Sequence, residues 1–303
     1  MKIKKIGILT SGGDAPGMNS ALFGVYSACR DNNITLIGFK GGYNGLIDND
    51  YVVVDDQLLD GRINLGGTIL RSSRAPRFLK SNYFKKAVKN ISTLKIDAMI
   101  ILGGDGSIRG ANDLDNNGIP TICIPCTIDN DLNFSRTLGF DTATNNIVNA
   151  LDNISDSLSA FGYGSVVKIM GKHCTDLLNT VSRAIQTDLK VIPKDFDLNE
   201  LIKNIKKYKN KLIPPVVLVL EDCVNTEELA KILQEKCKFP WRAHILGYIQ
   251  RGGKPTAIDR MYGYSAGLSV VDNIQNGESG FVLGMDNDKL VKKSFSDAIK
   301  KIN

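Results

Sequence analysis

The sequence is poor in the residues that most often bind metals and shuttle protons. Of its 303 residues only two are histidine, His173 and His244. That excludes a histidine-rich metal site and turns the search for a catalytic base toward carboxylates. Long apolar runs are also missing, and none approaches the length of a membrane span, so no membrane partner is expected. The start, Met1-Lys-Ile-Lys-Lys5, looks like the charged end of a secretory signal. The stretch behind it is short and broken by Ser11-Gly12-Gly13, so no signal peptide is expected. Six scattered cysteines show no disulfide-framework spacing, which fits a reducing cytoplasm. No short internal repeat or low-complexity linker appears.

What is present reads as a globular protein. Hydrophobic residues make up 43% and charged residues 23%, an ordinary balance for a packed core, and chains of this length usually divide into two domains. The formal net charge is +6, mostly from lysine. Lys203, Lys206, Lys207, Lys209 and Lys211 fall on or just after one predicted helix without interleaved aromatics. This reads as a solvated helix face, and no nucleic-acid partner is expected.

Short apolar runs alternate with helical patterns. Ile6–Leu9, Thr35–Phe39, Ala98–Leu102, Thr121–Ile124, Ser165–Ile169 and Val216–Leu220 read as strands, with a short strand end at Ile245–Gly247. Helices are predicted from about Gly17, along the stripe Ile147, Ala150, Leu151, Ile154 and Leu158, after the cap-like Asp197, and over Glu227–Cys237. Continuous apolar strands bounded by glycine, with helices between, predict an α/β fold with two lobes, each a mainly parallel sheet flanked by helices. Ligands of such sheets bind beyond the strand carboxyl ends, where loops 10–17, 103–107, 125–131, 170–173 and 250–253 lie.

Three of these loops carry chemistry. Gly12-Gly-Asp-Ala-Pro-Gly17 follows a strand and opens a helix, a setting in which backbone N–H groups favour an anion, though many such turns are glycine-rich for steric reasons alone. Gly103-Gly-Asp-Gly-Ser107 leaves room for a nucleotide, and Asp105 can hold a magnesium ion bridging its phosphates; the plainer reading is a tight turn with Asp105 capping the next helix. Pro125-Cys-Thr-Ile-Asp-Asn-Asp131 sets two carboxylates two residues apart, an arrangement that is costly unless a metal, a lysine or a reacting hydroxyl uses them. A phosphoryl acceptor needs a base, and Asp129 is placed to be one. The plainer reading here is a polar turn with Asx caps. Cys123-Ile-Pro-Cys126 has redox-motif spacing, but it straddles a strand end rather than a helix start. Cys126 adjoins the catalytic loop, so its oxidation is a possible route to inhibition.

With Met170-Gly-Lys172 and Gly247-Tyr-Ile-Gln-Arg-Gly-Gly253 added, these motifs make nearly the whole chain resemble the ATP-dependent 6-phosphofructokinases of bacterial type. The resemblance implies a cytoplasmic glycolytic kinase that moves the ATP γ-phosphoryl group to the 1-hydroxyl of fructose 6-phosphate with Mg²⁺. It implies a nucleotide-binding domain of residues 1–139 plus 251–303, a sugar-phosphate domain of 140–250, and active sites shared within a homotetramer. By the same resemblance Gly13, Gly104, Gly106, Arg74, Tyr43 and Ser107 serve the nucleotide, and Asp105 binds magnesium. Thr127, Asp131 and Lys172 assist Asp129. Met170, Gly171 and Glu221 hold the sugar, and Arg242, Tyr248 and Arg251 lie at its 6-phosphate.

The chain departs from that pattern inside the site. Tyr163 stands for the family's arginine, Tyr248 for its histidine, Lys172 for its arginine and Thr175 for a small glycine. A charge-assisted hydrogen bond is typically worth about 1.5–3 kcal/mol, so one uncompensated arginine loss would weaken phosphate binding by roughly one or two powers of ten. Lysine keeps charge but not the bidentate fork. These changes motivate an alternative, a paralogue acting on another sugar phosphate or serving as a regulatory subunit in a hetero-oligomer. Gly106, aspartate in pyrophosphate users, and the small uncharged Cys126 favour ATP. Phe23, Ser27 and Ser155 replace the basic residues of the family's effector site, which predicts weak or absent response to nucleoside diphosphate and phosphoenolpyruvate.

Overall fold

The computed structural model describes residues 3–193, 196–208 and 214–299; Lys209, Lys211 and the first two residues of the Met1–Lys5 stretch lie outside them. The chain divides into two compact units, Met1–Thr142 with Arg251–Asn303, and Ala143–Gln250.

The first unit is a seven-stranded sheet. In chain order it runs β1 (Lys5–Ser11), α1 (Met18–Asp31), β2 (Thr35–Phe39), α2 (Tyr43–Asp48), β3 (Tyr51–Val53), α3 (Asp56–Leu59), α4 (Ser81–Thr93), β4 (Ala98–Gly103), α5 (Asp105–Asn116) and β5 (Thr121–Pro125). Helix α6 (Phe140–Ser159) then carries the chain out of this unit. The strand order is β11-β10-β5-β4-β1-β2-β3, with β10 and β11 supplied by the returning C-terminal segment. Strands β2, β1, β4, β5 and β10 are mutually parallel, and β3 and β11 close the two borders antiparallel. All six residues of β4, Ala98-Met-Ile-Ile-Leu-Gly103, are buried, as a strand covered on both faces requires. Each fully buried isoleucine of that strand contributes about 1.5–3 kcal/mol relative to an exposed one.

The second unit is a four-stranded parallel sheet. It comprises β6 (Gly164–Ile169), α7 (Asp176–Ala184), β7 (Lys190–Val191), α8 (Leu198–Lys206), β8 (Val216–Leu220), α9 (Thr226–Cys237) and β9 (Trp241–Ile245), in strand order β7-β8-β6-β9. The Asp197 side chain accepts from the Asn199 and Glu200 amides and so caps α8. The predicted strand end at Ile245–Gly247 is corrected: the strand is Trp241–Ile245, and Gly247–Gln250 forms a 3-10 turn. Half-exposed positions in β9 break the apolar run that would have marked it.

The chain returns to the first unit through α10 (Ala257–Gln275), β10 (Phe281–Asp286), β11 (Lys289–Ser294) and α11 (Phe295–Ala298). Helix α10 packs backbone to backbone on α1. A Cβ on Gly24 would meet the Tyr264 carbonyl oxygen at 2.3 Å, and one on Gly267 would meet the Ala21 carbonyl oxygen at 2.4 Å, so only glycine permits this approach.

Candidate active site

The site grows out of strand register. In the first unit Ser11, Gly103 and Pro125, the last residues of β1, β4 and β5, are direct cross-strand partners. Neighbouring strands lie roughly 5 Å apart, so the loops that follow must emerge side by side. They touch. A Cβ on Gly12 would lie 3.7 Å from Ser107 Oγ, and one on Gly104 would lie 3.6 Å from Thr127 Cβ. The glycine-rich loop, the loop of Asp105 and the loop of Asp129 thus form one cluster.

Within it, Asp105 is exposed in the first turn of α5, and the preceding cap residue is Gly104, which supplies no side-chain cap. Gly106 is exposed, has no positive φ, and a Cβ there would meet nothing within 4 Å. Neither conformation nor packing demands glycine at 106; the space in front of it is open. Ser107 is buried and faces Gly12.

Asp129 is 6% exposed and its amide donates to Thr127 Oγ1 at 3.1 Å. Asn130 takes a left-handed φ of 52°, which turns the loop and returns Asp131 to a half-buried position. The loop is held from behind. Thr137 Oγ1 donates to the Thr127 carbonyl at 2.7 Å, the Thr137 amide donates to Asn130 Oδ1 at 2.9 Å, and the Thr127 amide donates to the Leu138 carbonyl at 3.1 Å.

The segment before α4 runs along the glycine-rich loop: Ser72 Oγ donates to the Gly12 carbonyl at 2.7 Å and the Gly12 amide to the Ser73 carbonyl at 3.3 Å, leaving Arg74 exposed beside them. Arg251 also stands here. Its guanidinium lies 3.3 Å from where a Gly13 Cβ would sit, and it pairs with Asp14. Tyr43 is 3% exposed, stacks on Phe78 with ring centroids 4.2 Å apart, and donates from its hydroxyl to the Ser107 carbonyl at 2.8 Å. It supports the Ser107 loop from the core, and full burial pushes its phenol well above the usual range.

In the second unit, Met170, Gly171 and Lys172 follow β6. The Glu221 carboxylate accepts from the Gly171 amide at 2.9 Å and the Lys172 amide at 2.6 Å, so one of its oxygens serves the turn itself. Lys172 is exposed at φ 50°. The Gln250 side chain accepts from the Met170 amide at 2.9 Å. Arg242 and Tyr248 are exposed, and the Arg242 guanidinium lies 4.7 Å over the Tyr163 ring. Tyr163 therefore meets an arginine as a cation–π platform. Thr175 precedes α7 and accepts from the Asn179 side chain.

Cys123 and Cys126 are both buried, and desolvation pushes both thiols far above their usual range. Burial disfavours a thiolate at either sulfur, which argues against the redox reading and its inhibitory variant.

No group of three or more His, Cys, Asp or Glu that could hold a metal occurs among the described residues. Asp105, a single exposed carboxylate, suits a hard cation held by one protein oxygen together with nucleotide phosphates.

Fold and site together define a two-unit α/β protein whose glycine- and aspartate-rich loops share the strand ends of one sheet. The phosphofructokinase family model matches residues 5–274. The ATP-dependent 6-phosphofructokinase of Buchnera aphidicola subsp. Baizongia pistaciae is 39% identical over 303 residues, covering 99% of this chain and 95% of its own. That of Clostridium botulinum (strain Alaska E43 / Type E3) is 37% identical over 301 residues, covering 98% and 94%. The solved Pichia pastoris phosphofructokinase in the T-state superposes with a TM-score of 0.90 at 26% identity, covering 99% of this chain but 36% of that one. The chain belongs to the phosphofructokinase family.

Asp259 and Thr142, which are hydrogen-bonded to each other, and Thr137, which braces the Asp129 loop, escaped the sequence reading as individual residues, as did Gln250, which accepts from the Met170 amide in the second unit. Gln250 lies inside a quoted motif, but the others carry no local signal.

Proposed function

We propose that this phosphofructokinase is an ATP-dependent 6-phosphofructokinase, passing the ATP γ-phosphoryl group to the 1-hydroxyl of fructose 6-phosphate. The observation that carries the reading is the register of Ser11, Gly103 and Pro125, which sets phosphate loop, metal carboxylate and base on adjacent strand ends. The Gly13 amide and Arg74 face the donor phosphates. The open space at Gly106 takes the α-phosphate side of a nucleotide, which favours ATP over pyrophosphate.

Asp129 accepts the proton of the attacking hydroxyl, and the Thr127 hydroxyl fixes the loop on which it sits. Asp131 and Lys172 shape the charge around the transfer. Asp105 would hold Mg²⁺, which would supply charge neutralisation at the transferred group. Met170, Gly171 and Glu221 engage the sugar, and Arg242, Tyr248 and Arg251 its 6-phosphate.

The exposed Ile258, Met261 and Tyr264 on α10 support a homo-oligomer, which we assign as a tetramer. No described helix is long and apolar enough to cross a membrane, and a cytoplasmic location accords with that.

A coupled assay of purified protein with ATP, Mg²⁺ and fructose 6-phosphate tests the reading. Loss of a positioned base costs roughly 10²–10⁴-fold, so Asp129→Asn should lower kcat by that range. A wild-type rate no higher than that of Asp129→Asn would instead support a non-catalytic paralogue.

A further inference from the structure

Asp259, in the first turn of α10, is fully buried, an expensive place for a carboxylate. It is used intensively. One oxygen accepts from the Gly139 amide at 2.9 Å, and the other from the Thr142 amide at 2.8 Å and from the Thr142 hydroxyl. Those amides belong to the start of α6, so Asp259 satisfies donors that a helix leaves without internal partners. Thr142 Oγ1 in turn accepts from the Thr256 amide at 3.0 Å. The carboxylate thus clamps segment 137–142, though it lies more than a hundred residues away in sequence.

That segment is the mount of the base loop. Gly139 is followed backward by Leu138, which exchanges backbone bonds with Pro125 at 3.0 Å and Thr127 at 3.1 Å, and by Thr137, which holds the Thr127 carbonyl and the Asn130 side chain. Thr127 bonds the amide of Asp129. On its other side the segment is wedged tight. A Cβ on Gly139 would meet Ala15 Cβ at 2.8 Å, and one on Gly17 would meet the Leu138 side chain at 2.8 Å. Gly139 has a φ of 101°, closed to other residues.

We infer that Asp259 is a positioning residue for phosphoryl transfer: it fixes segment 137–142 and, through Thr137 and Leu138, sets Asp129 against the acceptor hydroxyl. The inference rests on Asp129 being the base. A fully connected polar network of this kind transmits displacement, and a misplacement of about 1 Å at a reacting group can cost on the order of 10²-fold in rate.

The test is a double-mutant cycle on the full chain. Asp259→Asn leaves one acceptor oxygen for two amides and a hydroxyl. It is made in the wild type and in Asp129→Asn, with rates normalised to the folded fraction from near-ultraviolet circular dichroism. In the wild type kcat should fall at least about tenfold, while KM for fructose 6-phosphate changes less than about threefold. In Asp129→Asn the same substitution should change the residual rate less than about twofold, because the group it positions is gone. A loss of equal size in both backgrounds shows a merely structural role and overturns the inference, as does a folded Asp259→Asn enzyme with unchanged kcat. Thr142→Ala, which removes only one hydroxyl, decides by the same cycle should Asp259→Asn fail to fold. An Asp129→Asn single variant as fast as wild type overturns the base assignment itself, and is visible before the cycle is closed.

Discussion

Arg251 Nη2 lies 2.5 Å from Asp14 Oδ1, joining the returning C-terminal segment to the glycine-rich loop across 237 positions of sequence. The side chains are 26% and 32% exposed, so the pair is sheltered but within reach of a ligand. If Arg251 binds the sugar 6-phosphate, Arg251→Ala should raise KM for fructose 6-phosphate by roughly 10–100-fold, the equivalent of a charge-assisted hydrogen bond, with little change in KM for ATP. Steady-state kinetics with each substrate varied separately check this. An equal rise for ATP would assign the arginine to the nucleotide loop instead.

Gly106→Asp adds a carboxylate where nothing stands within 4 Å, in the first turn of a helix that favours negative charge. Stability should stay within about 0.5 kcal/mol of wild type. If position 106 faces the donor phosphates as proposed, KM for ATP should rise about tenfold, or about 1.4 kcal/mol. Thermal unfolding and ATP saturation measured on the same preparation separate the two effects.

Phe23 stacks on Tyr264 at 5.6 Å, and Ser27 is 4% exposed. An aromatic pair and a buried hydroxyl give a polyanion nothing to hold. Saturation curves for fructose 6-phosphate should therefore superpose with and without added nucleoside diphosphate or phosphoenolpyruvate.

Cys126 donates to the Ile124 carbonyl from a buried position. Peroxide should inactivate wild type and Cys126→Ala at the same rate, and iodoacetamide should leave Cys123 and Cys126 unlabelled in the native protein by peptide mass mapping.

His244 Nε2 is buried without a hydrogen-bond partner, and burial lowers the imidazole pKa from its ordinary 6.5. The neutral form is favoured in the fold, so the unfolded chain binds more protons as the pH drops. Stability present above about pH 6.5 is lost as the pH falls through the depressed folded value. Urea unfolding at pH 7.5 and 5.5 should show a larger loss for wild type than for His244→Gln.

The central strands were readable because a strand buried on both faces has to be apolar throughout, as in Ala98–Gly103 and Val216–Leu220. The border strands were not. Tyr51–Val53 is three residues long, and Lys289–Ser294 mixes three lysines and a serine with only Leu290 and Val291, so neither makes an apolar run. In the site, Asp105 and Asp129 were legible because a local glycine- or aspartate-rich pattern marks them. Asp259 was not, since its meaning comes wholly from Gly139 and Thr142 more than a hundred positions earlier. The burial of Tyr43 was not legible for the converse reason: proximity in sequence to a loop does not say which side of the loop a ring occupies.

The antiparallel borders of the seven-stranded sheet have a consequence for solubility. An open sheet ending in long apolar strands would offer unpaired amides to any neighbouring chain. Here one margin is a stub of three residues, and the other bears Lys289, Lys292 and Lys293, charged side chains that a foreign strand would have to desolvate in order to add on. Lateral addition of a further strand is thereby disfavoured at both margins of this sheet.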